Sequence, residues 1–313
     1  GEPVSAFINT VIAPIIEGQD CMAIEHLNDL IVRISQRFGT SGTASTAMSG
    51  VDLALWDLKG KILKQPVYSL LGGPVRESIT CYATSDDLDW SQELGFTKFK
   101  ITNPSHYSDG DDGIKAVIDH VSQARERVGA EHDLMINPVM SYNFEFAQRL
   151  LEHLRPYNLR WLEEPLVPTD NDGLARLRKS APWVAIATGE DHHGRHAFLD
   201  LVEKRAADIL QPDLNWGGGL TEAMKIHTIG EIAGLATIPH GGANNPFGQH
   251  FAMAATESPM AEYWLGTDPG VPLEDTIRIP GTATPVNGKI VPSSDPGFGM
   301  HIQQDDISEW GTS

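Results

Sequence analysis

The stretch "DLMINPVMSYNFEFAQRLLEHLRPYNLRWLEEP", residues 133–165, decides the fold. The apolar runs 133–139 and 159–165 each lead into polar residues. The segment between them, "EFAQRLLEHLRPY", carries its apolar residues at helical spacing. A strand, a helix and a second strand joined this way make a crossover unit with parallel strands. The same rhythm begins near residue 76 and returns in the runs 79–85, 96–102, 184–190, 208–214, 235–241 and 261–266. Helix-like segments such as "GIKAVIDHVSQARERV" and "TEAMKIHTIGEIAG" lie between them. About eight strands alternating with helices predict an α/β fold with an all-parallel sheet. That strand count favours a closed barrel over an open doubly wound sheet.

The flanks read differently. Residues 24–38 and 43–63 look like two amphipathic helices, and residues 279–313 are rich in Pro and Gly with short extended runs, "GKIVPSS" and "GFGMHIQ". The expected division is 1–74 as a partial capping domain and link, 75–278 as the barrel, and 279–313 as a segment returning to the cap.

A chain of 313 residues with 41% hydrophobic content can bury a large core. The formal charge of −19 argues against nucleic acid or an anionic membrane as partner. An anionic small substrate then needs local cations to override the global field. The sequence shows no apolar run of about 18 residues and no secretory signal, although it opens without Met. Cys21 and Cys81 fit a reducing compartment and read as structural. The expected location is cytoplasmic.

Barrel enzymes carry their chemistry at the C-terminal ends of the strands. There the sequence places Lys100 and Thr102, Asn137, Glu163 and Glu164, Glu190, Asp213, His240 and Glu262, in strand order. Each has a plainer reading. Glu163 and Glu164 could be a solvated loop pair, Asp213 a turn former and His240 a satisfied core histidine. Against this, "RWL" before the Glu pair and Pro165 after it hold one carboxylate at the barrel mouth. His240 lies one strand after Asp213, which predicts a dyad in which a buried carboxylate orients an imidazole base. Gly217–Gly219 lacks a phosphate-loop context and reads as a tight loop. His192 and His193, beside Glu190, are either supporting residues or substrate contacts, and His192 is the candidate substrate contact.

Together "GVDLALWDLKGKILKQPVYSLLGG", "EEP", "TGE", "QPDLNWGGGLTEAMKI" and "IPHGG" resemble the mandelate racemase subgroup of the enolase superfamily. "TKFKI", "LRPYNLRWLEEPL", "GQHFAMA" and "AEYWLGTDPGVPLE" are most similar to its L-rhamnonate dehydratases. The resemblance implies a modified (β/α)7β barrel with an N-terminal α+β cap, whose opening strands have no counterpart before Gly1. It also implies Mg2+ held by Asn137, Glu163 and Glu190, a sugar-acid substrate, a 2-keto-3-deoxy product and a symmetric homo-oligomer. Lys100 would neutralise the substrate carboxylate. His240, oriented by Asp213, would act as base and then acid in a syn elimination, with Glu262 near the reacting atoms.

Two departures stand out. Thr102 fills a position where many subgroup members carry a second Lys base, which leaves His240 as the single base. Asn137 stands where a carboxylate is expected, and Asp133 cannot replace it from about 13 Å back along the strand. An amide still offers Mg2+ a neutral oxygen. Three other readings stay open: a catalytically impaired homologue that binds sugar acids or serves as an assembly subunit, a dehydratase for another acid sugar, and an unrelated Schiff-base aldolase using Lys100.

Overall fold

The computed structural model describes residues 1–302 apart from 277. Eight parallel strands follow one another around the sheet. They are β1 (Ile79–Thr84), β2 (Lys98–Thr102), β3 (Asp133–Asn137), β4 (Trp161–Glu163), β5 (Ala185–Thr188), β6 (Ile209–Leu210), β7 (Ala236–Thr237) and β8 (Ala261–Trp264). The hydrogen-bonded order is β7-β6-β5-β4-β3-β2-β1-β8. Between β7 and β8 the circuit is completed by single backbone bonds, from Thr237 N–H to the Glu257 carbonyl and from Ala243 N–H to the Glu262 carbonyl. All eight strands predicted from the alternating rhythm are present, each shorter than the run that predicted it. The fold is the α/β barrel expected, with seven strand–helix units and a closing strand.

Before the barrel the chain is helical: α1 (Glu2–Phe7), a π-helical turn (Ile8–Ile12), α2 (Ala13–Ile16), α3 (Ile24–Ser35), α4 (Thr43–Leu63) and α5 (Val67–Leu70). Residues 1–74 contain no strand, only an isolated bridge from Pro66 to Gly297. Around the barrel run α6 (Leu88–Glu93), α7 (Gly110–Val128), α8 (Phe144–Leu154), α9 (Asn171–Ser180), α10 (Gly194–Glu203), α11 (Gly219–Ala233) and α12 (Pro246–Ala254). "GKIVPSS" yields β9 (Lys289–Ile290), antiparallel to the start of β1. "GFGMHIQ" forms no strand among its described residues, and residues 303–313 of the C-terminal segment lie outside them. Among the described residues no helix is long and apolar enough to cross a membrane.

Helix starts are set locally. Asn143, Asp170 and Asn245 each accept the N–H three residues on, at 2.9, 2.9 and 2.8 Å, satisfying donors that the helix leaves free. The start of α11 depends on a distant partner instead. Asp52 of α4 accepts Thr221 N–H at 2.9 Å, and Ser49 accepts Gly218 N–H at 2.8 Å. A Cβ on Gly219 would lie 2.5 Å from an Asp52 carboxylate oxygen, and φ there is +82°. The glycine run is therefore the seat for α4.

Strand side chains alternate between two environments. The outward set, with Phe99, Leu134, Ile136, Leu162 and Ile186, packs beneath the helices as the main core. The inward set makes a layer of Tyr82, Met135, Trp161, Ala187, Ile209, Ile238 and Met260 inside the barrel. One step further along the same faces the inward residues become polar. That period of two brings the functional candidates to one level.

Candidate active site

The polar layer rests on the apolar one and forms the floor of a cavity of about 760 Å3 at the C-terminal strand ends. Lys100, Thr102, Asn137, Glu190, Asp213, His240 and Glu262 line it. Glu163 lies just beneath, 2% exposed. A larger cavity, about 830 Å3, sits at the opposite end of β5 among Arg178, Lys179, Lys204, Arg205 and Asp208. Its one carboxylate, Asp208, is paired with Arg178 at 2.6 Å, and its cations cluster where α9 and α10 end, where positive charge complements the helix dipole. The chemistry lies at the mouth.

Lys100, 1% exposed, bridges two carboxylates from across the barrel. Its Nζ pairs closely with Glu163 Oε1 and at 2.7 Å with Glu262 Oε1, and it lies 5.5 Å from the centre of the Tyr82 ring below. Burial pulls the ammonium pKa down, but Glu163 and Glu262 outweigh it and the net shift is upward. Lys100 is thus a fixed cation. A Schiff-base role needs a neutral amine, and these surroundings oppose it.

Glu163 is saturated with donors. Besides Lys100 it accepts from Asn137 Nδ2 at 2.9 Å, Trp161 Nε1 at 2.9 Å and Gln211 Nε2 at 2.8 Å. Asn137 Oδ1 accepts Val139 N–H at 2.8 Å, which fixes the amide's orientation. Glu164 follows at φ +40° and turns away to β5, where Oε1 accepts Gly189 N–H and the Thr188 hydroxyl, both at 3.3 Å. The two neighbouring glutamates therefore face different environments, and Glu163 is the one at the mouth.

The dyad is formed. Asp213, 3% exposed, reaches His240 Nδ1 at 2.8 Å through Oδ2, while Oδ1 accepts the N–H groups of Asn215 at 2.5 Å and Trp216 at 3.1 Å. Backbone donors thus hold the carboxylate that orients the imidazole. The other ring nitrogen lies 3.3 Å from Glu190 Oε1. Burial lowers the His240 pKa, but the Asp213 hydrogen bond and the charges of Glu262 and Glu190 raise it to about 9. Burial raises Glu190 to about 7, opposed by His240 and reinforced by Glu164, Glu163 and Glu262. Glu262 accepts Thr84 Oγ1 at 2.6 Å and Gly241 N–H at 2.9 Å. Burial alone would raise its pKa, yet Lys100 and His240 hold it well below the usual carboxylate range.

Two candidates fall elsewhere. His192 does not line the cavity. It is 4% exposed, with Nε2 3.2 Å from Asn171 Oδ1 and its ring packed on Phe198, and burial lowers its pKa to about 4. The helix start at Gly194 turns it under the loop. His193 bonds the Trp216 carbonyl through Nδ1 at 3.1 Å. Thr102 is at the rim, but its hydroxyl and N–H are both engaged by Asp86.

Sequence reasoning missed Tyr82, Thr84, Trp161, Gln211 and Trp216. The signal was available for Trp161 and Gln211, since each lies two residues before a chosen carboxylate and shares its face. Trp216 caps the site by donating Nε1–H to the Glu190 carbonyl at 2.7 Å, with its ring 5.3 Å from that of His240. No strand pattern reaches it.

A model described as "Enolase C-terminal domain-like" matches residues 86–306, and one for the "Mandelate racemase / muconate lactonizing enzyme, N-terminal domain" matches residues 1–72. An L-rhamnonate dehydratase of Saccharopolyspora erythraea is 36% identical over 306 residues, covering 96% of this chain and 78% of that protein. The crystal structure of rhamnonate dehydratase from Gibberella zeae complexed with Mg superposes with a TM-score of 0.92 at 30% identity, covering 98% of this chain and 76% of that one. The 3,6-anhydro-D-galactonate cycloisomerase of Zobellia galactanivorans gives 0.85 at 27% identity, covering 98% and 86%. The chain belongs to the enolase superfamily and carries the N- and C-terminal domains of its mandelate racemase / muconate lactonizing enzyme branch.

Proposed function

We propose that the protein is a Mg2+-dependent sugar-acid dehydratase that converts L-rhamnonate to 2-keto-3-deoxy-L-rhamnonate. The observation that carries this reading is the Asp213–His240 dyad set at one level with Lys100 and Glu262 around a cavity in the size range of small-molecule sites. The names and similarity of its relatives support the substrate class.

The donor set fits a hard divalent cation. Four carboxylates, Glu163, Glu190, Asp213 and Glu262, meet only Lys100 and His240 as cationic partners, and burial, reinforced by neighbouring carboxylates, raises the Glu190 pKa to about 7. Among the described residues no three His, Cys, Asp or Glu side chains converge as a ready metal site. The third oxygen would come from Asn137 once its amide turns, because here Nδ2 faces Glu163 and Oδ1 accepts Val139 N–H; Glu163, Glu190 and the Asn137 amide would then hold the ion. Bound there, Mg2+ would stabilise negative charge on the substrate carboxylate and lower the proton affinity of His240.

The chain's own residues supply the rest. Lys100, locked as a cation, offsets the substrate's charge where the ground state needs it. Asp213 keeps the Nδ1 proton of His240 in place, so that Nε2 is the atom facing the substrate. Nε2 takes the C2 proton and then delivers it to the departing C3 hydroxyl. One group serving both steps requires both bonds on one face, so elimination is syn. Trp216 closes one side of the imidazole against water.

The test is formation of a 2-keto acid from L-rhamnonate, with and without EDTA. Mg2+-dependent product is expected, and His240→Asn should lower kcat about 100- to 10,000-fold. A folded protein that gives no product at saturating Mg2+ overturns the reading. One observation favours a second reading, an impaired homologue that binds sugar acids. Asn137 and Lys100 already satisfy Glu163 without a metal. Acid binding without turnover would establish it.

A further inference from the structure

Trp264 is the one largely exposed tryptophan among the described residues, at 62%. Single exposed apolar side chains are ordinary, so its position is what matters. It lies two residues beyond Glu262 on β8 and shares that residue's inward face, about 6.6 Å further toward the mouth. The reacting end of a bound acid sits at the level of Lys100 and Glu262, and its tail therefore extends toward the indole. Val139, 55% exposed, lines the same cavity from the β3–α8 loop.

The backbone that carries the indole is fixed. Asn244 clasps its backbone from both sides, donating to the Trp264 carbonyl at 2.9 Å and accepting its N–H at 2.7 Å. A side chain at Gly266 would collide with the six-membered ring, so that glycine leaves the ring its seat. Three polar side chains that line the cavity are already engaged. Asn244 is spent on this clasp. The Arg278 guanidinium donates to the carbonyls of Leu273 and Glu274 at 3.2 and 3.0 Å. The Thr102 hydroxyl is taken by Asp86. Beside them, Trp264 and Val139 offer the end of the substrate an apolar surface.

We infer that Trp264 is a specificity-determining platform for the non-reacting end of the substrate, and that with Val139 it selects a sugar acid ending in a methyl group over one ending in a hydroxymethyl. The terminal methyl of a 6-deoxy acid lies on the indole face without loss. A terminal hydroxyl lying on that face gives up water, and the ring face offers it no hydrogen-bond partner in return. This rests on the dehydratase reading for the orientation of the bound acid.

The experiment compares L-rhamnonate with L-mannonate, which differs by the 6-hydroxyl, on the wild type, Trp264→Ala and Trp264→Phe. Both turnover and calorimetric binding are measured. The wild type should favour L-rhamnonate about 10- to 100-fold in kcat/KM, expressed mainly in KM. Trp264→Ala should bring the two acids close to parity, while Trp264→Phe retains most of the preference. A preference unchanged in Trp264→Ala overturns the platform. Selective binding lost in Trp264→Ala, without turnover in any form, sustains the platform and overturns the dehydratase. Binding of neither acid overturns both.

Discussion

Asn137 does two jobs with one amide: its nitrogen donates to Glu163 and its oxygen accepts from Val139, a β-branched residue held at φ +48°. An aspartate could keep the Val139 contact, but it would set a carboxylate against Glu163. In EDTA, Asn137→Asp should therefore lower unfolding stability by about 1–3 kcal/mol, through the lost hydrogen bond and like-charge contact. Saturating Mg2+ should restore it, with a larger thermal shift than the parent shows. Differential scanning fluorimetry with and without MgCl2 decides, and a variant as stable as the parent in EDTA would show that the amide bond to Glu163 carries no weight. The same residue shows what a sequence reveals at this scale. Position 137 was legible because strand ends and a period of two fix which side chains reach the mouth. Which way the amide points depends on partners contributed by β4 and the following loop, and no local pattern encodes that. His192 was misplaced for a related reason: adjacency to Glu190 in sequence does not survive the turn into α10.

At the scale of elements, the helices and strands of the barrel were legible as periodicity, while the contacts that seat one helix on another were not. The α4–α11 junction shows the difference. Asp52 is nearly fully buried, and burial raises its pKa from 3.8 to about 6 despite the N–H groups of α11 that it accepts. Its protonated form is favoured in the folded state. Its contribution is therefore greatest below about pH 4 and is lost as pH rises toward about 6. Asp52→Asn keeps an acceptor for Thr221 N–H and removes the ionisation. The stability of the variant relative to the parent should rise between pH 4 and pH 6 and level off above, by at most about 3 kcal/mol. Urea unfolding at a series of pH values measures this, and a flat difference across the range would mean that Asp52 does not titrate in that window. The glycine run 217–219 read as a tight loop because the residue that needs its missing side chains lies about 170 positions earlier.

For the whole molecule, the question is how a helical N-terminal region and a Pro- and Gly-rich end are held to the barrel. Residue 298 lies at the meeting point. Phe298 is fully buried among Leu53 and Val67 from the N-terminal region and Leu214 and Phe251 from the barrel, with its ring 4.9 Å from Phe247 and 5.3 Å from His250. Its N–H donates to Asp57 at 2.9 Å, and Gly297 exchanges backbone bonds with Gln65 and Val67 at 3.0 and 2.8 Å. β9, just before, pairs with the first residues of β1. Three stretches that are remote in sequence thus share one small apolar cluster. Removing the ring leaves a cavity that backbone bonds on both sides keep from collapsing, so Phe298→Ala should cost about 3–5 kcal/mol, the range for a buried aromatic. The midpoint of urea unfolding should fall with the slope unchanged, because cap and barrel would still unfold together. A cost below about 0.5 kcal/mol, the range of surface changes, would instead mark this segment as a tail lying on the surface. A split into two transitions would show that the cluster is what makes the helical region and the barrel one cooperative unit.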